Sequence, residues 1–368
     1  MNKIGFGFLR LPQIDKESQE IDWELLNKMT DEFLLSGGTY FDTAYTYLDG
    51  KSEEAIRRSV VQRHPRDRFQ IADKLPSWQV TSSEDCYRYF DQQLERCGVD
   101  YFDVYLLHWL NGENYRIAEE HHEFDFLIKM KAIGKAKRIG FSYHDGPVLL
   151  DEILSAHPEV DVVQLQINYL DWESVGIEAR KCYETAVKHG KSVIVMEPVK
   201  GGTLAKLPDE AERLFKNFDP DSSAASWALR FAQSLEHVEI VLSGMNTEAQ
   251  IKENMRDTEL FSHKEYKIAE AAAEIISGST AVACTKCHYC DDHCPENIAI
   301  PEYFELYNEC KRYPDEDWKI EPAYHALTET HGKASECIGC RQCEKNCPQS
   351  LEISSLLKQV AELFEQNP

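Results

Sequence analysis

Short apolar runs alternate with amphipathic stretches along most of this chain. The runs read Tyr40-Phe41-Asp42-Thr43, Phe69-Gln70-Ile71-Ala72, Phe102-Asp103-Val104-Tyr105-Leu106-Leu107 and Arg138-Ile139-Gly140-Phe141-Ser142. They continue with Val162-Val163-Gln164-Leu165-Gln166, Ser192-Val193-Ile194-Val195-Met196 and Glu239-Ile240-Val241-Leu242-Ser243. A first run over residues 4–8 brings them to eight. Between them, residues 22–36, 52–62, 82–97, 176–189 and 247–257 carry apolar side chains at three- and four-residue steps, the signature of amphipathic helices. Strands that are apolar throughout and joined by helices imply parallel pairing, with both sheet faces covered. Eight such units over residues 4–258 suit a (β/α)8 TIM barrel, an α/β fold. A doubly wound open sheet is the alternative, but no Gly-x-Gly-x-x-Gly follows the first run.

Beyond residue 258 the pattern changes. A helical connector is expected over 262–280, followed by two cysteine-rich segments and a closing helix over 353–365. Between the cysteine segments lies a Tyr- and Glu-rich insert over 301–335, with Tyr303, Phe304, Leu306 and Tyr307 at helical spacing. The expected organisation is a barrel over residues 1–262 and a smaller, mainly α-helical ferredoxin-like domain over 263–368.

Composition narrows the function. Of 368 residues, 64 are acidic and 40 basic, for a formal net charge of -24. Such a surface repels nucleic acid and anionic membrane, which both call for clustered Lys and Arg. No window approaches the roughly 18 apolar residues of a membrane helix, and the start lacks a basic segment followed by a long apolar run. A cytoplasmic protein is expected.

The 12 cysteines sharpen the picture. Cys86, Cys97, Cys182 and Cys310 are scattered and read as buried thiols. The other eight form two runs, Cys284-Thr-Lys-Cys287-His-Tyr-Cys290-Asp-Asp-His-Cys294-Pro295 and Cys337-Ile-Gly-Cys340-Arg-Gln-Cys343-Glu-Lys-Asn-Cys347-Pro348. In a reducing compartment such spacing points to metal rather than disulfides. Both runs follow the C-x2-C-x2-C-x3-C-P order of bacterial two-cluster ferredoxins, whose fourth cysteine ligates the other cluster. On that logic Cys284, Cys287, Cys290 and Cys347 hold one [4Fe–4S] cluster, and Cys337, Cys340, Cys343 and Cys294 hold a second. Structural zinc has no need of three cysteines in this tight run plus a fourth.

The segments Phe41-Asp42-Thr43-Ala44-Tyr45-Thr46-Tyr47, Gly50-Lys51-Ser52-Glu53, Ala72-Asp73-Lys74-Leu75, Leu106-Leu107-His108-Trp109, Gly140-Phe141-Ser142, Met196-Glu197-Pro198-Val199-Lys200-Gly201-Gly202, Ala228-Leu229-Arg230-Phe231 and Glu253-Asn254 fall in order, mostly at ends of expected strands. In this the chain resembles the aldo/keto reductases, and among them the subgroup with a C-terminal ferredoxin-like domain. The resemblance implies a catalytic tetrad of Asp42, Tyr47, Lys74 and His108. Tyr47 would be general acid, its pKa lowered by Lys74, with Asp42 keeping Lys74 charged and His108 positioning the carbonyl oxygen. It further implies that Ser142 and Gln164 hold the nicotinamide carboxamide. Glu197, Pro198, Lys200, Gly201 and Gly202, with Ser243 and Gly244, would contact pyrophosphate and ribose. Gln250, Glu253 and Asn254 would meet the adenine end. Gly244 and Gln250 stand where the family often places basic residues for a 2′-phosphate, so NAD and NADP both remain open. Substrate choice is expected from the loops over 109–120 and 200–221.

Three functions follow as expectations. The first is NAD(P)H-dependent reduction of a small aldehyde or ketone, with the clusters exchanging single electrons with a ferredoxin or other electron-transfer protein. The second is a ferredoxin-linked oxidoreductase with FMN in the barrel mouth, motivated by Met196 and Tyr143, which depart from the family's Tyr and Asn. The third is a dinucleotide-binding redox sensor or adaptor.

Overall fold

The computed structural model describes residues 3–14, 20–174, 177–256, 259–312 and 317–365. Eight parallel strands close a barrel in sequence order: β1 (Ile4–Gly7), β2 (Tyr40–Asp42), β3 (Gln70–Leu75), β4 (Phe102–Leu110), β5 (Ala136–Tyr143), β6 (Val162–Gln166), β7 (Ser192–Met196) and β8 (Val238–Ser243). β4 is buried at every residue and β6 likewise, which is why these strands read as unbroken apolar runs.

The barrel interior is filled by Tyr40, Ala72, Val104, Leu106, Val162, Ile194 and Leu242. Side chains alternate along a strand, so two residues beyond each filler lies another inward position, one step nearer the C-terminal mouth. Stepping by two from Tyr40, Ala72, Leu106, Val162 and Ile194 reaches Asp42, Lys74, His108, Gln164 and Met196. The same parity that fills the core therefore lifts the polar residues to the catalytic face. At Gly140 a Cβ would lie 1.9 Å from the Val162 carbonyl oxygen, so only glycine lets β5 and β6 approach there.

Several helices around the barrel begin at caps written in the sequence. Asp22 accepts from the Leu25 amide at 2.9 Å to start Trp23–Leu35, and Ser82 with Asp85 forms a capping box for Ser83–Cys97. The helices expected over 176–189 and 247–257 appear as Ala179–Lys188 and Glu248–Asn254; residues 176 and 257 lie outside the described residues. The stretch 109–120, expected as a loop, carries the helix Gly112–Glu120, capped by Asn111. Likewise Asp209–Phe218 is helical within 200–221.

The chain divides into two compact units, Met1–Pro198 with Ser226–His263, and Val199–Ala225 with Lys264–Pro368. The second unit groups the segment after β7 with the cysteine-rich part of the chain. Its core joins Ile298, Tyr303, Phe304, Tyr324, Leu357 and Phe364. The Tyr324 and Phe364 rings stack at 4.7 Å, and Tyr303 donates to the Gly332 carbonyl at 2.8 Å. Among the described residues, no helix is long and apolar enough to cross a membrane.

Candidate active site and cluster ligands

Lys74 anchors the barrel mouth. Its ammonium is fully buried and donates to Asp42 Oδ1 and the Thr43 carbonyl, each at 2.7 Å, and to Tyr47 Oη at 3.4 Å. Asp42 has its pKa raised by burial against the lowering pull of Lys74. Tyr47 departs from expectation. Burial first, then the charges of Asp42 and Glu197, push its phenol well above the ordinary value. The charge of Arg10 pulls the other way without reversing this. The phenol therefore holds its proton at neutral pH and stands ready in the acid form.

His108 closes the group. Its ring lies 5.7 Å from that of Tyr47 and 5.2 Å from Trp78. Burial, helped by Lys74 and His144, drives its pKa well below the ordinary histidine value, so the imidazole is neutral and keeps one N–H to donate. Its Nδ1 has no hydrogen-bond partner among the described residues.

The expected cofactor residues separate into two sets. Ser142 and Gln164 are register partners across β5 and β6. The Ser142 hydroxyl oxygen accepts from the Trp109 amide at 2.7 Å, and Gln164 donates to Met196 Sδ at 3.6 Å. Gln164 Oε1 is buried without a partner among the described residues. An orphaned buried acceptor beside a hydroxyl suits the carboxamide of a nicotinamide. Asn254 donates to Ser243 Oγ at 3.1 Å, and the Glu197 carboxylate faces Arg10 at 3.7 Å. Pro198 follows Glu197 at the end of the first unit, and Glu253 is half-buried.

Other residues are engaged elsewhere. Gln250 accepts from the amides of Asn246 and Thr247 in a capping box, so its carboxamide is used in starting a helix. Lys200 donates to Gln349 Oε1 at 3.0 Å within the second unit. A Cβ at Gly201 would meet the Thr285 carbonyl oxygen at 2.2 Å, whereas Gly202 faces open space and is glycine for its φ of 103°.

Arg10, Trp78 and Asn168 belong to the mouth but were not anticipated. Arg10 packs against Gly244, its Cβ 3.6 Å from where a side chain would begin there. It is a basic residue beside Gly244, facing the Glu197 carboxylate. Asn168 donates to the Glu197 carbonyl at 3.0 Å and to Asp171 at 2.7 Å, fixing the turn after β7. A basic residue soon after the first strand was the available signal for Arg10.

In the second unit one cavity is lined by Cys284, Cys287, Cys290 and Cys347, with Thr285, Gln349 and Phe304 among the walls. It holds about 320 Å³ not filled by atoms, part of it open to solvent. Three of these thiols come from the first run and one from the second. Burial pushes Cys284 up to about 12, with Cys287 and Cys347 adding to the effect. Cys343 is pushed up to about 11 by burial, then by Glu344, Cys294 and Cys337, a grouping drawn from the other thiols. Cys340 is exposed. Among the described residues, no three Cys, His, Asp or Glu side chains converge as a single ion would require. Thiols ringing a cavity suit a cluster with iron at several corners better than one zinc with its short bonds. The Lys286 amide donates to Cys284 Sγ and the Ile298 amide to Cys294 Sγ, both at 3.5 Å, the kind of contact that stabilises cluster thiolates.

Comparison with known proteins finds two matches along the chain. Residues 3–274 match the model of the aldo/keto reductase family, and residues 283–352 that of a 4Fe-4S dicluster domain. An aldo-keto reductase of Mycolicibacterium vanbaalenii is 26% identical over 236 residues, 60% of this chain and 74% of that protein. One from Mycolicibacterium smegmatis is 34% identical over 110 residues, but the match spans only 29% of this chain and 36% of that protein. Among solved structures, an aldo-keto reductase of Bacillus halodurans in its holo form superposes with a TM-score of 0.60 at 20% identity, covering 73% of this chain and 91% of its own. A Klebsiella pneumoniae aldo/keto reductase in complex with NADP and acetate gives a TM-score of 0.59 at 21% identity, covering 73% and 90%. At such identity these structures speak to the fold. The family match spans most of the chain, and the chain belongs to the aldo/keto reductase family, with a 4Fe-4S dicluster domain following its barrel.

Proposed function

We propose that this protein reduces a small aldehyde or ketone with a nicotinamide dinucleotide, and that two [4Fe–4S] clusters in its second unit exchange single electrons with an electron-transfer protein such as a ferredoxin. The observation that carries the catalytic part is the buried group of Asp42, Lys74, Tyr47 and His108 at the barrel mouth. A bound nicotinamide supplies the hydride. Ser142 and the orphaned Gln164 Oε1 are the residues that would hold its carboxamide, and Arg10, beside Gly244 and Glu197, is a basic group that would meet a phosphate.

The rest follows from this chain's own groups. Tyr47 carries the proton that the carbonyl oxygen needs, and neutral His108 offers a second donor to orient that oxygen. When the proton leaves Tyr47, negative charge develops on the phenol oxygen 3.4 Å from the Lys74 ammonium, which stabilises it at that moment. Asp42 fixes the ammonium for this role. Trp78 and Trp109, whose rings meet at 5.7 Å, give the mouth an apolar wall. Cys284, Cys287, Cys290 and Cys347 are the proposed ligands of one cluster, and Cys294, Cys337, Cys340 and Cys343 of the other.

The flavin alternative loses its footing. Its motivation was Met196 and Tyr143, but the Tyr143 hydroxyl donates to the Gly146 carbonyl at 2.6 Å and the Met196 sulfur receives Gln164. A sensor without turnover leaves the buried tetrad without a purpose.

The test is anaerobic purification with iron, sulfide and flavin analysis, followed by NADH or NADPH oxidation with a panel of simple aldehydes and ketones. The reading expects two clusters' worth of iron, no flavin, and turnover that Tyr47→Phe removes. Bound flavin, or carbonyl reduction unimpaired in Tyr47→Phe, would overturn it.

A further inference from the structure

Lys74 stands where the ladder between β2 and β3 breaks off. The two strands pair only as far as Asp42 opposite Ala72, and the Thr43 amide makes the last bond, to the Ala72 carbonyl at 2.9 Å. Groups on one edge of a strand recur at every second residue. The amide and carbonyl of Lys74 therefore face the same side, beyond the end of β2. Buried main-chain groups need partners, and here side chains supply both. Asp73 Oδ1 accepts from the Lys74 amide at 2.8 Å, and Gln93 Nε2 donates to the Lys74 carbonyl at 3.0 Å. Both partners are themselves locked. Asp73 and Tyr105 are register partners on β3 and β4, while Gln93 and Cys97 reach them from the helix Ser83–Cys97. The Tyr105 hydroxyl donates to Gln93 Oε1 at 2.5 Å, which leaves the NH2 end for Lys74. That end also serves the Glu53 carboxylate, which Arg96 holds at 2.9 Å. The Cys97 thiol donates to Asp73 Oδ2 at 3.7 Å. Glu53, Asp73, Gln93, Cys97 and Tyr105 are all wholly buried.

We propose that Asp73 and Gln93 are positioning residues for carbonyl reduction: they hold the main chain of Lys74 and so fix how far its ammonium reaches toward Tyr47. The inference rests on the catalytic reading of Lys74 and Tyr47 given above. The ammonium's contacts with Asp42 and the Thr43 carbonyl are short, at 2.7 Å, whereas that with Tyr47 Oη is 3.4 Å. When the main chain shifts, the short contacts hold and the long one gives first. Negative charge develops on the phenol oxygen only as the proton leaves it. A looser Lys74 is therefore felt in the transition state and not in the binding of substrate or dinucleotide. Burial, and then the charge of Glu53, pushes the Asp73 carboxyl well above its ordinary value. Asp73 is thus a neutral acceptor for the Lys74 amide, and asparagine is its close mimic.

The experiment measures kcat, KM, dinucleotide affinity and thermal midpoint on anaerobically purified full-length protein. It compares the unaltered chain with Gln93→Leu, Asp73→Leu, Asp73→Asn and Tyr105→Phe, using the simple aldehyde or ketone that the unaltered chain turns over fastest. Assays run well below every thermal midpoint, so that loss of fold does not pass for loss of rate. Gln93→Leu and Asp73→Leu are expected to lose about 10²-fold in kcat, with KM and dinucleotide affinity unchanged. Asp73→Asn keeps an acceptor for the Lys74 amide and restores most of that loss. Tyr105→Phe, the mildest change, frees the Gln93 carboxamide and lowers kcat in the same direction by less. Variants that melt earlier yet keep the full kcat would overturn the proposal, and so would a loss confined to KM. Where a leucine variant does not fold, Tyr105→Phe decides: a lowered kcat at unchanged KM supports the proposal, and a full kcat overturns it. Carbonyl reduction absent from the unaltered chain would overturn the catalytic reading and the proposal together, whereas an active parent with unimpaired variants overturns the proposal alone.

Discussion

The Lys74 ammonium sits 2.7 Å from Asp42 Oδ1, with the lysine side chain wholly withdrawn from solvent and the aspartate nearly so. An ion pair this deep is held in place more than it holds the fold together, because desolvating both charges offsets much of their attraction. Its value lies in fixing a cation beside Tyr47. Removing one partner strands the other charge in the barrel.

Asp42→Asn and Lys74→Met are each expected to destabilise the barrel by about 3–5 kcal/mol. The double variant should lose much less than the sum. A double-mutant cycle on thermal unfolding, followed by tryptophan fluorescence, measures the coupling. Additive losses would show that the two charges do not depend on each other.

Burial sets Tyr47 well above its ordinary pKa and His108 well below its own. Between about pH 7 and 9, bounded by the ordinary values of the two groups, neither changes its protonation in the free enzyme. The profile of kcat/KM for carbonyl reduction should therefore be flat across that window. Tyr47→Phe should cost about 10²- to 10⁴-fold in kcat while leaving dinucleotide affinity in place. A limb near pH 7 that vanishes in His108→Gln would show that His108 titrates after all.

The strands were legible because a parallel barrel buries both faces, so β4 and β6 announce themselves as continuous apolar runs. The tetrad was legible because each member stands at or just beyond a strand end. What escaped was contact at long range. Nothing near Lys200 in sequence points to Gln349, and a lysine beside two glycines reads naturally as a phosphate loop. The direction of the Tyr47 shift escaped for a related reason. Sequence placed Lys74 near Tyr47 but did not show how deeply the phenol is buried. The helix Gly112–Glu120 was missed because the chain turns at His122, with φ 58°, before the next helix begins, leaving too short a period to read.

The crossed grouping of cysteines makes a distinct prediction. Cys347→Ser lies in the second run, yet its side chain lines the cavity of Cys284, Cys287 and Cys290. It should perturb the same paramagnetic signal as Cys284→Ser, while Cys294→Ser and Cys337→Ser perturb the other. Spectra of the four variants, reduced and matched for protein, make the comparison. If Cys347→Ser resembled Cys337→Ser instead, each run would hold its own cluster.

Glu123 shows how a buried charge outside the site shapes stability. It is fully buried, accepts from Ser77 Oγ at 2.6 Å, and leaves Oε1 without a partner among the described residues. Burial pushes its carboxyl up to about 7 from 4.5, against the lowering effect of Ser77. The folded state therefore holds a proton there through the interval in which the unfolded chain has released it. By linkage this group's contribution to stability is fully present below about pH 4.5 and is lost as pH rises to about 7. Above that, folding carries the burden of a buried carboxylate. Glu123→Gln keeps an acceptor for Ser77 and removes the charge. It should stabilise the protein by about 2 kcal/mol at pH 8, with the advantage fading as pH falls toward 5. Thermal midpoints of both proteins across that range provide the check. A variant less stable at pH 8, or one whose advantage grew on acidification, would mean that the carboxylate is held charged by a favourable partner.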